Sequence, residues 1–184
     1  MTTAPAPAAV STWVIDRSHS LVEFAVRHMM VATVQGRFRD FEGVIRLDES
    51  NPENSSVEVT IETASIDTND PQRDAHLRSD DFLNAEKFPK ITFRSKRVEL
   101  QGQDRARVIG DLTIRDVTRE VALEVEFLGR TKDPWGRERI GFSAHTTINR
   151  HDFGVRWNAM LDTGGVVVGD TVRINLEVEA VKQD

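Results

Sequence analysis

Apolar and polar residues alternate with period two along most of this chain, and the alternation stops twice for segments far longer than a turn requires. Val22–Met30, Val57–Ile66, Arg119–Leu128 and Thr171–Val181 each present one apolar face, whereas residues 67–89 and 149–169 do not. Tight hairpins are enough to connect antiparallel strands. Irregular segments of this length that carry Phe and Trp therefore predict covers lying over the mouth of a β-barrel. A wall with two covers points to an enclosed site for a small apolar molecule, and so to a carrier before an enzyme.

The strands can be followed one by one. Trp13 to Asp16 opens the first, Arg17 and Ser18 bend it, and Val22, Phe24, Val26 and His28 then share a face predicted to point inward. Residues 34–48 read as a second strand whose alternation slips by one residue, which predicts a bulge near Arg39 to Phe41. Val57, Val59 and Ile61 form the inner row of the third strand, Ile91 and Phe93 that of the fourth, and Val108, Gly110, Leu112 and Ile114 that of the fifth. In the sixth, Val121, Leu123, Val125 and Phe127 alternate with Glu120, Glu124 and Glu126. The turn Asp133-Pro134-Trp135-Gly136 returns the chain through Ile140, Phe142, Ala144, Thr146 and Ile148, and Val172, Ile174, Leu176 and Val178 line the last strand. No helix-length period separates most of these runs, so the expected fold is all-β, an extended eight-stranded antiparallel barrel. Strands of roughly ten residues tilted by about 40° give a lumen about 25 Å tall, suited to a chain-like ligand.

At 184 residues the chain fits one domain, expected as a flexible leader over residues 1–11 and a single barrel over residues 12–182. Nine Phe, three Trp and no Tyr predict a carbon-lined interior. A net charge of −6 argues against nucleic acid, which calls for a basic face. The absence of cysteine excludes disulfides, thiolate catalysis and Cys-based zinc sites. The opening MTTAPAPAAV lacks the basic and apolar regions of an export signal, and no later stretch approaches a membrane span, so the expected compartment is the cytoplasm.

Candidate binding residues follow from the inner rows: Phe24, Val26, His28, Phe38, Val59, Ile61, Phe93, Leu112, Ile114, Leu123, Phe142 and Ile174 in the pore. His28 reads either as a pore-lining polar group or as a hydrogen-bonded core histidine. In the first cover, Arg73 to Phe82 reads as one or two helical turns preceded by Pro71, with Phe82 available to pack on the rim. The second combines Phe153, Trp157 and Met160 with Arg150 and Arg156, followed by Gly164 and Gly165. Arg150, Arg156, Arg73 and Arg78 are available to fork onto a phosphate or carbonyl; alternatively each pairs with an aspartate such as Asp74, Asp80 or Asp152. No metal or other cofactor is expected. The competing readings are a haem- or metal-dependent enzyme, should His19, His28, His76 and His151 converge despite lacking metal-pair spacing, and a filled barrel acting as an interaction module.

Seven motifs in order, WVIDRSHSLVEFAVRHM, GRFRDFEG, SIDTND with RDAHLRSDDF, FPKITFRS, GDLTIRDVTREV, INRHDFG and VGDTVRINLEVEA, make the chain from Trp13 to Glu179 resemble the YceI-like family of polyisoprenoid-binding, lipocalin-like proteins. The resemblance implies an extended antiparallel barrel, an isoprenoid, quinone-like or fatty-chain ligand in its pore, and a homodimer. Many relatives carry an export signal and work in the periplasm.

Overall fold

A computed structural model describes residues 10–161 and 164–184. It contains eleven strands: β1 (Val10–Ile15), β2 (Leu21–His28), β3 (Ala32–Phe38), β4 (Phe41–Asp48), β5 (Ser56–Glu62), β6 (Ile66–Asp67), β7 (Lys90–Leu100), β8 (Arg105–Ile114), β9 (Val117–Lys132), β10 (Glu138–Asn149) and β11 (Val168–Lys182), with one helix, α1 (Pro71–Arg78). Most of the expected leader lies outside the described residues, but Val10 and Ser11 already belong to β1, where they pair with Asp48 and Leu47.

All the pairings are antiparallel, and they close. The order β1-β4-β5-β7-β8-β9-β10-β11 returns to β1, an eight-stranded ring, while β2, β3 and β6 extend the sheet from β11. Along the edge opposite β10 the long strand β11 serves two partners, pairing through Val168–Glu177 with β2 and through Ala180–Lys182 with β1. The chain passes between these two stretches through a single turn at Arg17–His19. There the Asp16 carboxylate accepts from the Ser18 amide at 3.0 Å and the Asp16 amide donates to Glu179 O at 2.8 Å.

The expected bulge at Arg39–Phe41 is instead a full corner that divides residues 34–48 into β3 and β4. β3 pairs with β2 and β6, and β4 with β1 and β5. The one-residue slip in the alternation marks this change of partner, and it brings Phe38 and Phe41 to the same interior.

Two true bulges re-phase the wall. In β7 the register shifts between Ser95 and Arg97, so Val98 and Leu100 turn inward along with Ile91 and Phe93. In β9 Leu128 falls out of the ladder, which turns Arg130 to the interior along with Val125 and Phe127. Glycines on the inner rows make room for rings. Gly36 lies under Phe24, whose Cζ would be 2.5 Å from an added Cβ, and Gly110 lies under Phe93, at 2.7 Å.

Candidate ligand cavity

The barrel is hollow. A cavity of about 680 Å³ runs through it, lined by the inner rows of every ring strand and almost entirely by carbon. Its two ends differ. At one end exposed residues reach it, Glu49 and Pro52 of the β4–β5 connection and Gly102 to Arg105 at the β7–β8 turn, so the cavity opens there. Beside this mouth Trp13 is fully buried against Ile140 and Ala180, with the Arg130 guanidinium 5.1 Å from its ring and tied to Glu49 and Glu138. This cluster plugs part of the barrel end.

The other end is blind because both covers fold over it. α1 begins as its sequence requires: Asp70 accepts from the amides of Gln72 and Arg73, and Pro71 occupies the first turn, where its missing N–H costs nothing. Behind the helix, buried Asp74 accepts from the Thr68 amide at 2.8 Å and the Thr68 hydroxyl at 2.5 Å, while Arg73 donates Nε to that hydroxyl and Nη2 to the Thr68 carbonyl. The first cover is clasped to the barrel by Arg115. This residue sits at positive φ in the β8–β9 turn, donates to the carbonyls of Asp80 and Phe82 and lies over the ring of Phe88. Leu77, Phe82 and Leu83 form the resulting floor.

The second cover is capped by Asn149, whose side chain accepts from the His151 amide, and its first turn ends at Gly154 with φ 77°. Phe153 and Val155 are buried and complete the floor. Arg150 holds this cover from within, donating to four backbone carbonyls, and burial pushes its guanidinium down from the usual arginine range, with only the charge of Asp170 acting the other way.

The structure sorts the candidate residues. Phe24, Val26, Phe38, Val59, Ile61, Phe93, Leu112, Ile114, Leu123, Phe142 and Ile174 line the cavity, as do Phe82, Phe153 and Arg150 of the covers. Four do not. His28 ends β2 beyond Val26, the last residue of that strand to reach the lumen. Trp157 packs behind the floor against His76 and Phe82. Met160 is carried outward by its bridge to Val166 and is 85% exposed, and Arg156 is exposed. Neither Arg73 nor Arg78 reaches the cavity, and Asp80 pairs with Arg115 rather than with a cover arginine. Val98, Leu100, Leu77, Leu83 and Val155 line it without having been singled out by alternation.

The histidines do not share a site. His76 faces Asp81 at 2.8 Å, His151 faces Asp170 at 2.7 Å and His19 faces Asp16 at 2.9 Å. Among the described residues the one cluster with metal-like spacing is Asp16, His19 and Glu179, outside the lumen. The Arg139 guanidinium already lies between its carboxylates, 2.9 Å from Asp16 and 3.5 Å from Glu179.

Comparison with known proteins agrees with this architecture. The model of the YceI-like domain matches residues 13–180. The chain belongs to the YceI-like family. Protein YceI of Escherichia coli is 40% identical over 178 residues, covering 96% of this chain and 90% of that protein. Among solved structures, Burkholderia cenocepacia BcnA superposes with a TM-score of 0.79 at 24% identity, over 90% of this chain and 98% of that one. A polyisoprenoid binding domain from Saccharophagus degradans, implicated in plant cell wall breakdown, superposes with a TM-score of 0.68 at 14% identity, over 93% and 98%. At these identities the two structures establish the shared YceI-like barrel fold.

Proposed function

We propose that this YceI-like barrel binds an amphiphilic long-chain lipid, a polyisoprenoid, an isoprenoid quinone or a fatty-chain compound, inside its lumen for transport, storage or sensing. The observation that carries the reading is the cavity itself, about 680 Å³, lined almost entirely by carbon and reached by exposed residues at one end. A close-packed interior has few voids larger than a water molecule, so a hollow of this size needs an occupant to justify it. Each buried methylene contributes about 0.8 kcal/mol, so three isoprene units contribute about 12 kcal/mol and leave the roughly 8 kcal/mol of micromolar affinity after an association cost of about 4 kcal/mol. The polyisoprenoid named for the Saccharophagus degradans domain, which shares this fold, supports the same ligand class.

Native mass spectrometry of protein purified from cells, followed by organic extraction, tests the reading. The expected result is a retained apolar chain, or stoichiometric uptake of an added polyprenyl or quinone compound. Repeated preparations that are empty and take up neither compound overturn it.

A further inference from the structure

Arg150 stands at the blind end of the cavity and is 4% exposed. A guanidinium carries five N–H donors in a fixed fork. Nε donates to the carbonyl of Gly169 at 2.7 Å, Nη1 to those of Val155 and Trp157 at 2.9 Å each, and Nη2 to that of Val168 at 3.2 Å. The second N–H of Nη2 has no acceptor among the described residues, and none of their carboxylates lies within ion-pairing distance of the guanidinium. The contrast with the open end is direct: Arg130, which also lines the lumen, is neutralised by Glu49 and Glu138.

Carbonyl dipoles solvate the Arg150 charge without cancelling it, and the one carboxylate among the described residues whose charge acts on it, Asp170, lies beyond ion-pairing distance and faces His151. A buried unpaired cation is costly, and the group that relieves it best is an anion delivered to the same place. We infer that the blind end of the cavity is a head-group site, where the free donor of Arg150 binds an oxygen of the ligand's polar terminus. An anionic phosphate or carboxylate is preferred to a neutral alcohol. The ligand therefore enters head first and its chain trails toward the mouth between the β4–β5 connection and the β7–β8 turn. This rests on the carrier reading and adds to it a charge preference and a direction.

The test is a set of three probes that share one isoprenoid chain, farnesyl phosphate, farnesol and farnesene, titrated by displacement of a bound fluorescent fatty acid. Wild-type protein is expected to bind the phosphate at least about tenfold more tightly than the hydrocarbon. Arg150→Gln is expected to abolish that preference while leaving farnesene affinity within about twofold, and Arg105→Ala at the open mouth to leave it intact. Should Arg150→Gln fail to fold, the guanidinium nitrogen resonances of Arg150 in wild-type protein are expected to shift on addition of farnesyl phosphate and not of farnesene. Equal binding of phosphate and hydrocarbon, or a preference lost in Arg105→Ala and kept in Arg150→Gln, overturns the head-group site and leaves the carrier standing. Failure of all three probes to bind removes both.

Discussion

The indole of Trp157 meets the imidazole of His76 edge-on, with ring centroids 4.8 Å apart and planes at 82°, and this contact joins the two covers. Phe82 completes the cluster, 4.9 Å from His76 and 5.3 Å from Trp157. Segments more than seventy residues apart in sequence thus form one lid, and each aromatic pair in it contributes about 0.5–1.5 kcal/mol beyond its buried area. Trp157→Ala is expected to cost about 1–3 kcal/mol, lowering the melting temperature by roughly 2–4 °C per kcal/mol for a chain of this size. Stopped-flow displacement of a bound fluorescent lipid should also show exchange quickened several-fold, because the floor of the cavity loosens. A lowered melting temperature with unchanged exchange would assign ligand traffic to the open mouth alone.

The inner-row glycines give a second, purely steric prediction. A Cβ on Gly110 would stand 2.4 Å from the carbonyl oxygen of Arg94, which is backbone and cannot swing away, and 2.7 Å from Phe93 Cζ. Gly110→Ala is expected to destabilise the barrel by about 1–3 kcal/mol or more, read as a lower urea midpoint. Gly141 is the control, since an added Cβ there would meet nothing nearer than Leu128 Cβ at 3.7 Å. Gly141→Ala should stay within about 0.5 kcal/mol of wild type.

These glycines show why some of the molecule was legible from its sequence and some was not. Period two reveals a strand's inner row as long as the ladder keeps its phase, so the alternation alone places Leu112, Leu123 and Ile174 in the lumen they line. A bulge resets the phase without a composition signal of its own. Val98 and Leu100 therefore escape the alternation beyond the shift at Ser95–Arg97, and the slip near Arg39 has the pattern of a bulge although the strand changes partners there. Irregular segments have no period at all. Trp157 and Met160 were plausible floor residues because they are large and apolar, yet only tertiary packing decides that Phe153 and Val155 face the cavity while Trp157 backs the lid and Met160 meets solvent. The pairing of Arg150 with a neighbouring aspartate, reasonable from Asp152 two residues away, gives way to backbone carbonyls that come together only when the cover closes.

Val59 offers a way to fill the lumen without touching either end. It lies on β5 between Phe93 of β7 and Gly43 of β4, and its side chain lines the cavity. Val59→Trp places an indole in the lumen, where the added ring occupies space that a chain-like ligand needs. The expected outcome is uptake of a polyprenyl or fatty probe reduced at least about tenfold, or about 1.4 kcal/mol, with the far-ultraviolet β signature preserved. Undiminished uptake by a folded variant would locate the ligand outside the barrel.

Acid should loosen the corner that lets β11 serve both β1 and β2. Asp16 caps the turn at Arg17–His19, where its carboxylate accepts from Ser18 and also faces His19 and Arg139. Hydrogen bonds from Ser18, reinforced by those from His19 and Arg139, hold its carboxyl far below the ordinary value of 3.8. Asp67 is lowered in the same sense by Arg39, Asp133 by the Arg137 amide and Glu138 by Lys182. A carboxyl that gives up its proton more readily in the folded chain binds fewer protons there than in the unfolded one. Its stabilisation is complete above the unfolded value and fades as pH falls below it. For Asp16, whose side chain is 21% exposed, that stabilisation is roughly 1–2 kcal/mol after allowance for solvent screening. Asp16→Asn is expected to lower the urea-unfolding free energy by about that amount near neutral pH, and the gap from wild type should narrow progressively below about pH 4, where the Asp16 carboxyl of the unfolded wild-type chain takes up its proton while that of the folded chain stays ionised. A gap that stays constant across the acid range would assign the loss to altered turn geometry, with no part played by the charge.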